Sequence, residues 1–192
     1  MSDKPSYLGL LNAVAVAEGR AHAYLKAWID VTPSDDVRKV LSTVAAREGE
    51  HAMSFAKRIN ELGYEVRPGD ADEAGKAMKI AASSRSDLEK MKAFKLHRLD
   101  TGAKPDVFDE FFKDHSIDIR TGELLGRYIA EERDSARLLR SCYEQLKRAE
   151  SGVSTSGGER ASSRIEAKVD MLCRAVEELR QIVCAQTMPT KP

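Results

Sequence analysis

VRKVLSTVAAREGEHAMSFAKRINEL, residues 37–62, carries an apolar stripe at helical spacing. Val37, Leu41, Val44, Phe55 and Leu62 fall on one face of an amphipathic helix. Glu48 and His51 lie on that same stripe, so a carboxylate and an imidazole point where the aliphatic side chains point. Arg47 and Glu50 point elsewhere and are expected in solvent. A buried glutamate is costly unless it is protonated, paired or bound to a cation. Glu48-x-x-His51 sets two ligand-capable groups about one turn apart on one face, the unit used by carboxylate-bridged di-metal bundles. The same residues are compatible with an interior Glu–His hydrogen bond and no metal.

The flanks define the helix. Thr32-Pro33-Ser34-Asp35 reads as a turn and N-cap, and Leu62-Gly63-Tyr64 closes the segment with a C-terminal glycine. Upstream, residues 6–30 form a second helix. Leu8, Leu11, Ala15, Leu25 and Ile29 share a stripe with Glu18 and His22, and Leu10, Val14, Ala17, Ala21 and Trp28 widen it. Glu18 is thus a second inward carboxylate, while His22 reads as a packed or boundary histidine. The short connection makes the two helices antiparallel neighbours.

Downstream, residues 71–99 have a poorer helical pattern, with Ala74, Met78, Ala81, Leu88, Met91 and Leu99 near one face and Ser83-Ser84-Arg85-Ser86 as a potential interruption. Glu89 has two readings. It completes a capping box with Ser86, or it is a third core carboxylate. Val107, Phe108, Phe111 and Phe112 form a short amphipathic connector. Residues 117–149 read as a long helix whose stripe, Leu125, Ile129, Ala136, Leu139, Tyr143 and Leu146, has Glu132 in its middle. Tyr128, Ser135 and Cys142 belong to a flanking stripe shared with Glu131, and Glu131 and Asp134 are expected at the boundary or in solvent.

The expected organisation is a helical domain over residues 1–149, a flexible Gly/Ser linker over 150–162 and a heptad helix with a tail over 163–192. Ile165, Val169, Leu172, Val176, Leu179 and Val183 alternate by four and three, a seam that favours two parallel strands and hence a homo-oligomer.

Composition narrows the function classes. Hydrophobic residues make up 42% and charged residues 32%, enough for a folded core. The 31 basic and 31 acidic residues balance and no basic block stands out, so neither nucleic acid nor a membrane surface is an expected partner. The opening residues lack a secretory pattern, and the apolar run over 8–17 is too short to span a bilayer. Cys142, Cys173 and Cys184 make no zinc or redox spacing, so the expected location is the reducing cytoplasm.

Glu18 on the first helix, Glu48-x-x-His51 on the second, Glu89 on the third and Glu132 on the fourth resemble the ferritin-like superfamily, in its rubrerythrin-type branch. The resemblance covers residues 7–146 and is strongest over 44–51 and at Leu62-Gly63-Tyr64. It implies an all-α, antiparallel four-helix bundle and a metal site of Glu18, Glu48, His51, Glu132 and Glu89 for iron or manganese. Residues 131–139, EERDSARLL, look like the family's second Glu-x-x-His helix, but Ser135 stands where its histidine should be. Serine is a poor ligand for these metals. The resemblance therefore implies a di-metal site with one ligand missing, and the three scattered cysteines form no rubredoxin-like iron module.

Two functions are compatible with these residues. One is a metal-binding protein with non-haem iron or manganese oxidase or peroxidase chemistry. The other is a bundle without metal or catalysis, serving as a coiled-coil-linked scaffold or adaptor.

Overall fold

A computed structural model describes residues 4–96 and 113–152. The connector over 107–112 and the heptad helix over 163–192 lie outside the described residues. The chain divides into two compact units, Met1–Arg148 and Ala149–Pro192. The described residues form helices and no strand: α1 (Leu8–Ile29), α2 (Asp35–Glu61), α3 (Ala71–Ala81), α4 (Asp87–Ala93) and α5 (Ile119–Glu150). The protein is all-α over these residues. None of these helices is long and apolar enough to cross a membrane.

The long helices end on local signals. The Ser34 hydroxyl accepts from the Val37 amide, and Asp35 and Asp36 place negative charge on the first turn of α2, where the helix dipole favours it. At the other end Gly63 has φ +84°, the Tyr64 amide reaches the Ile59 carbonyl and the Gly63 amide reaches that of Asn60. These two bonds make a Schellman motif, which only glycine adopts without strain. Asp118 caps α5 by accepting from the amides of Arg120 and Thr121. It also receives the Tyr7 hydroxyl and the Arg58 guanidinium, which tie this cap to α1 and α2.

Two apolar clusters form the core. In one, Leu11, Val14 and Ala15 of α1 meet Phe55 and Ile59 of α2 and Leu125 and Ile129 of α5. In the other, Leu25 and Trp28 of α1 meet Val37, Leu41 and Val44 of α2, Ala81, Met91 and Leu139. Each fully buried Val, Leu, Ile, Phe or Met among them contributes roughly 1.5–3 kcal/mol. Along α1 and α5 the chain passes from the first cluster to the second, and along α2 from the second to the first. On each helix the inward acids sit at the changeover. Glu18 follows Ala15, Glu48 and His51 separate Ala45 from Phe55, and Glu132 separates Ile129 from Leu139.

The stretch after α2 is a return path along α1. Asn12 holds both the amide and the carbonyl of Arg67, Arg20 pairs with Glu73 at 2.6 Å, and Asp87 accepts from Trp28 Nε1 and Thr32 Oγ1, both at 2.7 Å. Within this stretch the structure has the interruption that the sequence offers, between α3 and α4. The run breaks at Ser83–Ser86, where the capping box of Ser86 and Glu89 starts α4. In α3 Ala81 is buried, but Met78 of the expected stripe is exposed, because α3 lies on the outside of α1.

Candidate metal centre

Three helices deliver four side chains to one point. Glu18 from α1, Glu48 and His51 from α2, and Glu132 from α5 each offer a ligand atom, and these atoms all lie within 4.8 Å of one another. The first three residues are buried, and the Glu132 side chain is 25% exposed. Helical spacing explains the delivery. Glu48 and His51 are three residues apart and share a face, while Glu18 and Glu132 each lie in register with apolar neighbours already committed to the core.

His51 sets the chemistry of the cluster. Its Nε2 lies 2.7 Å from Glu131 Oε2. An ionised carboxylate only accepts, so in the neutral ring Nε2 carries the proton and Nδ1 presents its lone pair. That Nδ1 is 3.6 Å from Glu132 Oε1 and 4.0 Å from Glu18 Oε2. All three of these atoms are buried without a hydrogen-bond partner. Leaving one such atom unpaired costs roughly 1–3 kcal/mol, so three facing one another define a place built for something that bonds to lone pairs. The other Glu18 oxygen accepts from the Tyr128 hydroxyl at 2.9 Å, and the Tyr128 ring meets His51 edge-on with centroids 5.0 Å apart.

The electrostatics follow from burial. Loss of water pushes Glu18 up to about 7, the Glu132 charge adds to this, and the Tyr128 bond opposes it. Burial likewise pushes Glu132 up to about 7, with Arg47 pulling down and Glu131 pushing up. The Tyr24 phenol rises to about 12, first through burial and then through Glu18 and Glu132. Carboxyls held this way near neutrality exchange a proton for a cation readily. A half-open cavity of about 410 Å³ has Glu18, Glu48, Glu132 and Ser135 on its wall beside Tyr24, Leu25, Val44 and Leu139. The donor set of three carboxylates and one imidazole could hold a metal ion.

Not every residue read from the sequence joins the cluster. Glu89 is exposed and is the capping residue of α4, bonded to the Ser86 amide and hydroxyl. Its helix starts level with Trp28, ten residues and hence roughly 15 Å along α1 from Glu18. The core-carboxylate reading of Glu89 is therefore corrected. His22 also lies apart from the four ligand atoms, with Nδ1 2.6 Å from the Ala45 carbonyl. Arg47, expected in solvent, instead reaches α5, where it donates to Ser135 Oγ at 3.2 Å and pairs with Asp134 at 2.8 Å. Glu131, expected at the boundary or in solvent, lies at the boundary and there meets His51. The signal in the sequence is the stripe that Glu131 shares with Tyr128, Ser135 and Cys142, and the structure buries all three.

No family model, curated protein or solved structure matches this chain.

Proposed function

We propose that this protein is a metal-binding protein built as an antiparallel, ferritin-like four-helix bundle of the rubrerythrin type, with a non-haem iron or manganese centre. The observation that carries the reading is the trio of buried, unpartnered atoms, Glu18 Oε2, His51 Nδ1 and Glu132 Oε1, facing one another. A cation would satisfy all three residues at once, which a single proton or internal hydrogen bond would not. The return path along α1 supports the bundle reading, since ferritin-like bundles use one long crossover connection.

In this reading Glu18, Glu48, His51 and Glu132 hold the ion. When bound, it supplies a Lewis acid and a redox centre. Glu131 keeps the imidazole in the Nδ1-donating tautomer and fixes its angle. Tyr128 holds one oxygen of Glu18 and leaves the other for the ion. The cavity beside the acids gives a small reactant a way in.

A second reading, a metal-free bundle acting as an oligomeric scaffold, draws its support from Ser135. That residue bonds Arg47 in place of offering a ligand.

Elemental analysis of protein purified without chelator tests the choice, together with melting in Mn(II) or in EDTA. Metal-binding protein should carry iron or manganese and gain roughly 2.7 kcal/mol at one hundred times its dissociation constant. Glu48→Ala should remove most of that gain and change the EDTA melt much less. Protein with no metal and no shift in Mn(II) would be the scaffold.

A further inference from the structure

We propose that His22 is a positioning residue of the metal site: it clamps α1 to the backbone of α2 and so sets the register at which Glu18 and Glu48 meet. This rests on the metal-binding reading above and adds a residue outside the four ligands. His22 Nδ1 lies 2.6 Å from the Ala45 carbonyl oxygen. A carbonyl only accepts, so Nδ1 carries the proton and donates it. Ala45 sits inside α2, where its carbonyl also receives the amide four residues on, that of Gly49. The oxygen has two lone pairs, and the imidazole takes the second. The same Gly49 gives the ring its room. A Cβ there would stand 2.8 Å from Nδ1, 3.0 Å from Cε1 and 3.3 Å from Cγ. Acceptor and cradle thus lie one turn apart on one helix, and both are needed for a ring to come this close to a backbone.

Both ends of the clamp adjoin the acids. Glu18 is one turn before His22 on α1, and Glu48 stands between Ala45 and Gly49 on α2. Beside Glu18, a Cβ on Gly19 would stand 3.8 Å from that of Ala52, so the two helices are close here as well. Register matters at this scale. A slip of one turn moves an acid by about 5.4 Å, further than the 4.8 Å within which all four ligand atoms lie. Burial of the apolar stripes is non-directional, whereas a hydrogen bond weakens steeply once its distance and angle are lost. Arg38 also bonds α1, at the Ile29 carbonyl, but Ile29 is eleven residues from Glu18, roughly 16 Å along the helix. The His22 bond is a directional link between α1 and α2 that stands beside the acids themselves.

Calorimetric titration of the full chain with Mn(II) tests the proposal, with urea unfolding in EDTA beside it. His22→Leu removes the donor and should weaken Mn(II) binding roughly tenfold or more, the scale seen when a residue behind a ligand is lost. His22→Asn sets a side-chain N–H near the place of Nδ1 and should recover most of that affinity. Glu89→Ala is the control for stability alone: it should unfold more easily in EDTA and bind Mn(II) as wild type does. Gly49→Ala keeps the imidazole and pushes it off the carbonyl, so it should weaken Mn(II) binding too, and it carries the test if His22→Leu fails to fold. Unchanged affinity in a folded His22→Leu or Gly49→Ala, an Asn variant no better than the Leu one, or equal weakening by Glu89→Ala would overturn the role of His22 and leave the metal reading standing. A wild type that binds no Mn(II) would overturn the metal reading, and this inference with it. Those two failures are distinct in the same titration.

Discussion

His51 Nδ1 and Glu132 Oε1 face each other at 3.6 Å, both buried and both without a hydrogen bond. The residues come from α2 and α5, and neither helix is free to turn its polar atom toward water. His51 is anchored through its other nitrogen by Glu131, and the apolar neighbours of Glu132 are committed to both clusters. The unpaired atoms are thus maintained by packing on either side of them. Sites that must accept a ligand are commonly preorganised in this way.

The first consequence is a pH dependence of the metal-free protein. Glu18 and Glu132 both rise to about 7 in the folded chain, chiefly through burial, from a normal value of 4.5. A folded-state pKa above the unfolded value means that the folded chain holds the proton more tightly. The associated stability is fully present below about pH 4.5 and is lost as pH rises through about 7. In EDTA, urea denaturation should therefore give a stability lower at pH 8 than at pH 5 by a few kcal/mol in total, the two acids titrating as a coupled pair. In Mn(II) the trend should shrink or reverse, because the ion replaces the protons and binds better as they leave.

Glu131 and Glu89 separate two kinds of acid. Glu131→Ala should weaken Mn(II) binding by about 10–100-fold, the usual cost of losing the partner that orients a histidine ligand. Glu89→Ala should lower the melting temperature through the lost capping box and leave Mn(II) affinity unchanged. Equal effects of the two on affinity would contradict the site geometry. A calorimetric titration reads both.

Gly49 offers a test of how tightly α1 and α2 pack. A Cβ there would stand 2.8 Å from His22 Nδ1 and 3.0 Å from Cε1, and the ring is held by the Ala45 carbonyl. Gly49→Ala gains roughly 1 kcal/mol of helix propensity, but overpacking costs about 1–3 kcal/mol and the His22 bond is strained as well. The net should be a loss of about 1–2 kcal/mol in thermal or urea unfolding. Gly75→Ala on α3 meets nothing within 4 Å and should stabilise by about 0.5–1 kcal/mol.

The C-terminal seam is tested by mass. We propose that residues 163–186 pair two chains as a coiled coil, with Leu172 and Leu179 at its centre. A helix of this length is only marginally stable alone, so a second contact or a high local concentration must help. Leu172→Asp with Leu179→Asp, and a chain ending at Glu150, should each run as monomers in light scattering while the remaining helices stay folded. Retention of the parent mass by both would assign assembly to another surface.

Much of this protein was legible from local pattern alone. The stripes on α1, α2 and α5 place Glu18, Glu48, His51 and Glu132 inward because a helix fixes the direction of each side chain relative to its neighbours three and four residues away. The caps at Ser34, Ser86 and Gly63 are equally local, since the side chain or backbone geometry that ends a helix lies within a few residues of the end. Period and cap gave Glu89 two homes, however, and could not choose. The choice depends on how far along α1 the start of α4 is carried, which the contacts of Arg67, Glu73 and Asp87 decide. Arg47 and Glu131 were legible only as boundary or solvent residues. Their partners are eighty or more positions away in the chain, at Ser135 and His51, and no period within one helix encodes a contact between two. Sequence thus determined which acids face inward. Tertiary packing decided which of them meet, which nitrogen of His51 stays open, and which residues of α5 hold Arg47, because long-range contact is a property of how the helices are assembled.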